Sequence, residues 1–293
     1  MANDTTKVAL PKSVVTTVLN KVKDASTIAA LSPSTPQKFA DATYLVFNPT
    51  AEAEVVAEGA KKSGSEISTE PVVAKRVKVV TTTRVSDELK WADEDNQLEI
   101  VSNIIADQTA AIGRALDYVV YHAINPKTGL ALDGYTALTA GANAITATDN
   151  PSTDIDSMTD AVLDYDINGF ALSRKFASDL RKLRVPATGL RLYPEIPLSL
   201  KVGNIDGIPA AASGTVNGRL AKTDTKVLGI LGDFNAIKWG MVRDMMSEII
   251  EFGDPDNTGN DLKGYNQVAY RTEAVLAYAV LDPKAFSVLK AGA

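Results

Sequence analysis

The segment from Thr43 to Val85 constrains the fold most. It reads as the two arms of a long ribbon. The tip, Val55–Ser65 (VVAEGAKKSGS), has too few apolar residues to make a core. The outgoing arm begins with a strand over Thr43–Asn48 (TYLVFN), continues through a polar stretch rich in Ala and Glu, and turns at Ser63-Gly64. The return arm, Val72–Val85, alternates with the period of a strand. Val77, Val79, Thr81, Thr83 and Val85 fall on one face. Arg76, Lys78, Thr82 and Arg84 fall on the other, with Val80 out of pattern. Glu52, Glu54 and Glu58 are placed to pair with these basic residues across the ribbon. Such exposed pairs contribute only about 0.2–1 kcal/mol each, and a two-stranded ribbon is marginal in water. The ribbon therefore needs a second surface, which points to assembly rather than to catalysis on a small substrate.

The composition narrows the function classes. The chain has 293 residues, 45% of them hydrophobic, enough for two modest cores or one core with long appendages. It has no cysteine and one histidine, His122. Disulfides, thiolate metal sites, histidine triads and multi-histidine metal sites are excluded. The formal net charge is -6, so general attraction to nucleic acid is not expected. No apolar run approaches the ~18 residues that span a bilayer. The first residues, MANDTTKVALPKSVV, lack a signal-peptide core, so cytosolic synthesis is expected.

Along the chain, Val14, Val15, Val18, Leu19 and Val22 recur at helical spacing, an arm helix ended by Ser32-Pro33-Ser34-Thr35-Pro36. Ser86–Trp91 reads as one or two helical turns. Asp93-Glu94-Asp95-Asn96 then opens a long helix to about Ile124, acids suiting the positive end of the helix dipole. Leu98, Val101, Ile105, Ile112, Leu116, Val119 and Ala123 form its apolar stripe. At about 28 residues it would be roughly 42 Å long. Residues 136–153 read as a small-residue linker. Beyond it come helix Ile155–Tyr165, strand Gly169–Leu172, helix Arg174–Leu183, and short strands near Ile208–Ala211, Lys226–Leu231 and Ala236–Trp239. Met241–Phe252 is ambiguous, strand preferred; Asp254–Gly264 is a polar loop. Tyr265–Leu281 reads as one long strand, half-buried at its start, with helix the alternative.

The order is arm helix, ribbon, long helix, mixed α+β domain and final strand. With VVAEGAKKSGSEIS at the tip, VVTTTRVSDEL before the long helix, LYPEIPLSL and GNIDGIPAAAS in the middle, and YRTEAVLAYAVLDPKAF at the end, it resembles the major capsid proteins of tailed bacteriophages with the Hong Kong 97 fold. The likeness covers roughly Thr43 to Phe286. It implies an N-arm (1–33), an E-loop (48–76), a P-domain (34–47, 77–135 and 265–293) containing the spine helix, and an A-domain (136–264). It also implies pentamers and hexamers that close into an icosahedral shell around double-stranded DNA. The implied partners are other copies of the chain, a portal, a decoration protein and a scaffold. The scaffold is either a separate protein or a segment already removed; an initiator-like Met1 favours the former. No membrane, cofactor or metal is implied.

The resemblance further implies an isopeptide crosslink. Lys62 at the tip would attack Asn266 of a neighbour, with Glu273 promoting the reaction. The lysine must lose its proton to attack, and a carboxylate takes up a proton as ammonia leaves. Asn266 and Glu273 lie seven residues apart, on opposite faces of a regular strand, so they would serve from different subunits. Lys61 is an alternative nucleophile, and the bland reading is a solvated Lys62, a strand-edge Asn266 and a Glu273 paired with a basic residue. Asp93-Glu94-Asp95 reads as a solvated helix start rather than a metal site. Asp254-Pro255-Asp256-Asn257 lacks the terminal glutamate of a calcium loop. Gly214–Arg219 lacks the residues of a phosphate loop. His122 is expected to face outward in a structural role, and Trp91 and Trp239 to pack. Two other functions compete: an encapsulin-like nanocompartment shell, and a soluble carboxylate-dependent enzyme.

Overall fold

Ser26 caps the first described helix, α1 (Thr27–Leu31), by accepting the amide of Ala29 at 3.1 Å. The computed structural model describes residues 25–35, 42–48, 53–59, 61–62, 64, 68–96 and 99–292. The arm helix expected around Val14–Val22 lies outside them.

The ribbon divides at Ala74. Its outer part pairs β1 (Thr43–Asn48) antiparallel with β2 (Ser68–Val73), Thr43 opposite Val73 and Asn48 opposite Ser68. The return arm continues as β3 (Lys75–Ser86), which leaves β1 for a different sheet. The expected alternation holds for Val77, Val79, Thr81 and Thr83, half-buried, and for the buried Val85. Val80 stands outward as predicted, at 51% exposure, but Arg84 is buried.

The long helix is two helices. α2 (Asp87–Asn96) precedes α3 (Ile100–His122), which begins after Glu99 in a left-handed backbone conformation, φ 56. The acidic cluster therefore ends one helix instead of opening another. Asp93 still serves the predicted electrostatics: its carboxylate accepts the amides of Ile100 at 2.8 Å and Val101 at 3.1 Å, the first turn of α3. At 23 residues α3 runs about 35 Å. Ile112, Leu116, Val119 and Ala123 of the predicted stripe are buried; Leu98 lies outside the described residues. From Ala115 to His122 every residue is buried, so the last two turns run through the core rather than across it.

The region expected as a linker holds a helical turn, α4 (Leu138–Gly141), and β4 (Asn143–Thr146). α5 (Pro151–Asp160), β5 (Gly169–Leu172) and α6 (Arg174–Lys182) follow close to expectation. Then come β6 (Asn204–Ile205), β7 (Ile208–Ala212), β8 (Val227–Gly232) and β9 (Ile237–Ile250). β9 merges the short strand expected at Ala236–Trp239 with the ambiguous stretch after it. β10 (Gln267–Val280) is the predicted long strand, and β11 (Phe286–Lys290) is one the pattern did not separate.

Two further sheets organise the body. In one, β10 lies between β3 and β9, antiparallel to both, with bulges in β9–β10 pairing around Val275. Tyr265 and Asn266 are exposed and Gln267 half-buried, as expected at its start, and from Val268 to Tyr270 β10 is enclosed. The other is a mixed six-stranded sheet, β4-β11-β8-β5-β7-β6, with β11–β4 and β5–β7 parallel. Thus β9, from the expected A-domain span, pairs with β10, and β11, from the expected P-domain span, sits among strands of the A-domain span. Phe234 and Phe286, edge to face at 5.5 Å between centroids, join the two sheets with Val120, Tyr121, Ile230 and Val288. A second cluster around Phe170, Phe176, Leu180 and Ile196 lies beneath α5 and α6.

Candidate assembly surfaces

The described residues of the ribbon tip lie open to solvent. Residues 53–59, 61, 62 and 64 are exposed, Val55 completely. Leu45 and Val73 on the ribbon itself are 61% and 52% exposed, so β1 and β2 bury little against the body. An apolar surface left to water in this way is an unfinished contact.

The three candidate crosslinking residues sit apart. Lys62 is exposed on the tip. Asn266 is exposed just before β10 in a left-handed conformation, φ 50, which asparagine tolerates, and its carbonyl accepts the amide of Asp87 at 2.9 Å. Glu273 lies in the middle of β10, about 23 Å further along at strand rise. Its carboxylate takes an ion pair from Lys78 Nζ at 2.9 Å, and the hydrogen bond from Lys78 holds it below the usual carboxylate range. Among the described residues, no hydrogen bond or ion pair joins any two of the three.

Two basic residues of β3, Lys78 and Arg84, find their acids away from the outgoing ribbon arm. Lys78 goes to Glu273. Arg84 donates from Nε to Asp256 at 2.8 Å and from Nη1 to the carbonyl of Asn260 at 2.8 Å, and its Nη2 meets both Asp254 and Asp256. The hydrogen bond to Asp256 outweighs burial and raises the guanidinium pKa. The polar loop after β9 is therefore stapled to the sheet, and the acids that looked like loose calcium-loop residues are ion-pair partners. Among the described residues no group of three or more His, Asp or Glu side chains is placed to hold a metal. No described helix is long and apolar enough to cross a membrane.

A second polar cluster, which the sequence did not reveal, centres on Asp117. Its carboxylate is fully buried on α3. It accepts from Ser26 Oγ at 2.6 Å, Thr27 N at 2.8 Å, Thr27 Oγ1 at 3.0 Å, Ile28 N at 3.2 Å and Thr215 Oγ1. Burial pushes its pKa up while these donors pull it down. The cluster ties the root of the N-terminal segment to α3 and to the loop after β7. An aspartate within an apolar stretch (Ala115, Leu116, Tyr118, Val119, Val120) was the one available signal.

His122 corrects the outward placement. It is 9% exposed, with Nε2 3.1 Å from the carbonyl oxygen of Thr215, and burial lowers its pKa to about 4. Trp91 is 57% exposed rather than packed. Trp239 does pack, its Nε1 donating to the carbonyl of Ser32 at 3.1 Å.

The sequence matches the phage capsid family over residues 6–291. This chain belongs to the phage capsid family. A solved structure from Mycobacterium phage Ogopogo superposes with a TM-score of 0.86 at 34% identity, covering 100% of both chains. One from Gordonia phage Cozz gives 0.80 at 29% identity, over 98% of this chain and 93% of that one. A structure described as the capsid of an empty GTA particle shares the fold, with a TM-score of 0.61 at 14% identity over 97% of this chain and 96% of the other. No curated protein matches. The capsid protein is thus a structural component of the virion, with the mixed helix-and-sheet fold of its relatives.

Proposed function

We propose that this capsid protein is the major head subunit, assembling as pentamers and hexamers into an icosahedral shell that encloses double-stranded DNA. The observation that carries the proposal is the ribbon: a long, partly apolar arm whose described residues Leu45, Val55 and Val73 stay open to solvent. In this reading residues 48–76 are the E-loop, α3 is the spine helix, 136–264 are the A-domain, and residues 1–33 are an N-arm reaching a neighbour. Scaffold, portal and decoration protein complete the particle, and the net charge of -6 suits a container that does not grip its DNA. Electron microscopy of the purified protein tests this directly. Closed shells or capsomers are expected; a species that stays monomeric under all conditions refutes it.

A covalent lock through Lys62, Asn266 and Glu273 is a separate proposal. Denaturing gels of mature particles would then show ladders of multimers that disappear in Lys62→Ala. The pairing of Glu273 with Lys78 favours the other outcome, a single band at the 31.1 kDa of one chain and a shell held without covalent bonds.

A further inference from the structure

The charges of the chain are segregated along the sequence. From Thr128 to Ser173 there is no lysine or arginine; from Arg174 to Lys201 there are seven, against two acids, Asp179 and Glu195. Both acids are engaged: Asp179 pairs with Lys182 at 2.8 Å, and Glu195 accepts the amide of Asp206 at 3.4 Å. The centre of this basic stretch is a short hairpin that follows α6. The amide of Val185 donates to the carbonyl of Leu190 at 2.9 Å, that of Leu192 to Leu183 at 3.1 Å, and Gly189, at φ 68, makes the turn. Arg184 and Arg191 stand directly opposite each other in it. Opposed residues of two strands lie about 5 Å apart at Cα and point to the same side, and like charges so placed repel.

No carboxylate among the described residues relieves that repulsion. Arg184 donates from Nη1 to the carbonyls of Arg181 and Leu183, at 2.9 and 3.1 Å, which seats its guanidinium over the end of α6. Arg191 is exposed, and its side chain makes no hydrogen bond or ion pair among the described residues. Arg181, in the last turn of α6, has a buried Nε without an acceptor. Three arginines are thus gathered at the C-terminal end of α6 with donors still open. A planar guanidinium matches the oxygens of a phosphate two at a time. We propose that Arg181, Arg184 and Arg191 form a phosphate-binding surface whose ligand is the sugar-phosphate backbone of enclosed DNA. This rests on the shell reading for its source of phosphate. It gives a chain of net charge -6 a local hold on DNA that is blind to base sequence.

Fluorescence anisotropy of a labelled DNA duplex with the purified full-length chain tests this. The wild type is expected to bind, more weakly as salt rises. Arg191→Ala removes no described internal bond and should weaken binding about threefold; Arg184→Ala combined with it should weaken binding about tenfold and flatten the log–log salt dependence by about two. Lys222→Ala, at an exposed cation on the loop after β7, should leave the affinity unchanged. An equal loss in Lys222→Ala, or none in the arginine variants, overturns the surface. Thermal unfolding with inorganic phosphate alone, at constant ionic strength, separates the sources of phosphate. Stabilisation by phosphate that the arginine variants lose, without duplex binding, overturns DNA as the ligand. Variants that keep their duplex affinity but no longer assemble would set these arginines against a neighbouring copy and overturn the proposal. A wild-type chain that binds duplex through them yet never leaves the monomer upholds the surface and overturns only the shell reading.

Discussion

The carboxylate of Asp117 accepts the backbone amide of Thr27 at 2.8 Å, across 90 residues of chain. One buried side chain therefore holds Ser26, Thr27 and Ile28 against α3.

Removing this acceptor should be costly. Asp117→Ala strands the amides of Thr27 and Ile28 and three hydroxyl donors in a dry site, a loss of about 3–5 kcal/mol. Denaturant unfolding would register it as a lower midpoint. Limited proteolysis should cut near residues 25–32 in the variant before the wild type. Asp117→Asn, which keeps one oxygen acceptor, should fall between the two.

Acidification should weaken the fold through His122. Its pKa is about 4 in the folded chain against 6.5 for an ordinary histidine, because burial disfavours the charged ring. The unfolded chain then binds more protons than the folded one between those values. Stability is fully present above about pH 6.5 and falls as pH drops toward 4, by roughly 3 kcal/mol in total. Urea unfolding at pH 7, 6 and 5 should show the slope, and His122→Gln should flatten it.

Arg84→Ala should loosen the loop after β9. It leaves Asp254 and Asp256 facing each other without their cation, and Asn260 without a donor. Since both acids are partly solvated, the cost is about 1–3 kcal/mol rather than that of a fully buried pair. Hydrogen exchange should speed up over residues 253–262 while the six-stranded sheet keeps its protection.

Gly232 is required by close packing. A Cβ there would stand 2.1 Å from the carbonyl oxygen of Ala285 and 2.9 Å from Phe286 Cα, both backbone atoms. Gly232→Ala must push β8 from β11 and should cost about 3 kcal/mol, measured as a fall in melting temperature.

The elements read best from sequence were those with an unbroken period. The alternation of β3 and of β10, the helix over Arg174–Lys182 and the apolar stripe of α3 are local properties of the chain, and they appear where expected. The ribbon's lack of a core was equally legible, since it is a matter of composition, and it led to the shell reading. So did the exclusion of disulfides and histidine chemistry.

Tertiary structure decided what depends on residues far apart. Periodicity could not show that Asp93, in the last turn of α2, caps α3, because that depends on the left-handed backbone of Glu99 before α3. It could not show that Arg84, on the nominally solvated face of β3, is buried by a loop 170 residues away, or that Asp117 meets Ser26, Thr27 and Thr215. A residue's period reports which side of its own element it occupies. Its burial and its partners depend on what packs against that side, and only the folded chain supplies that.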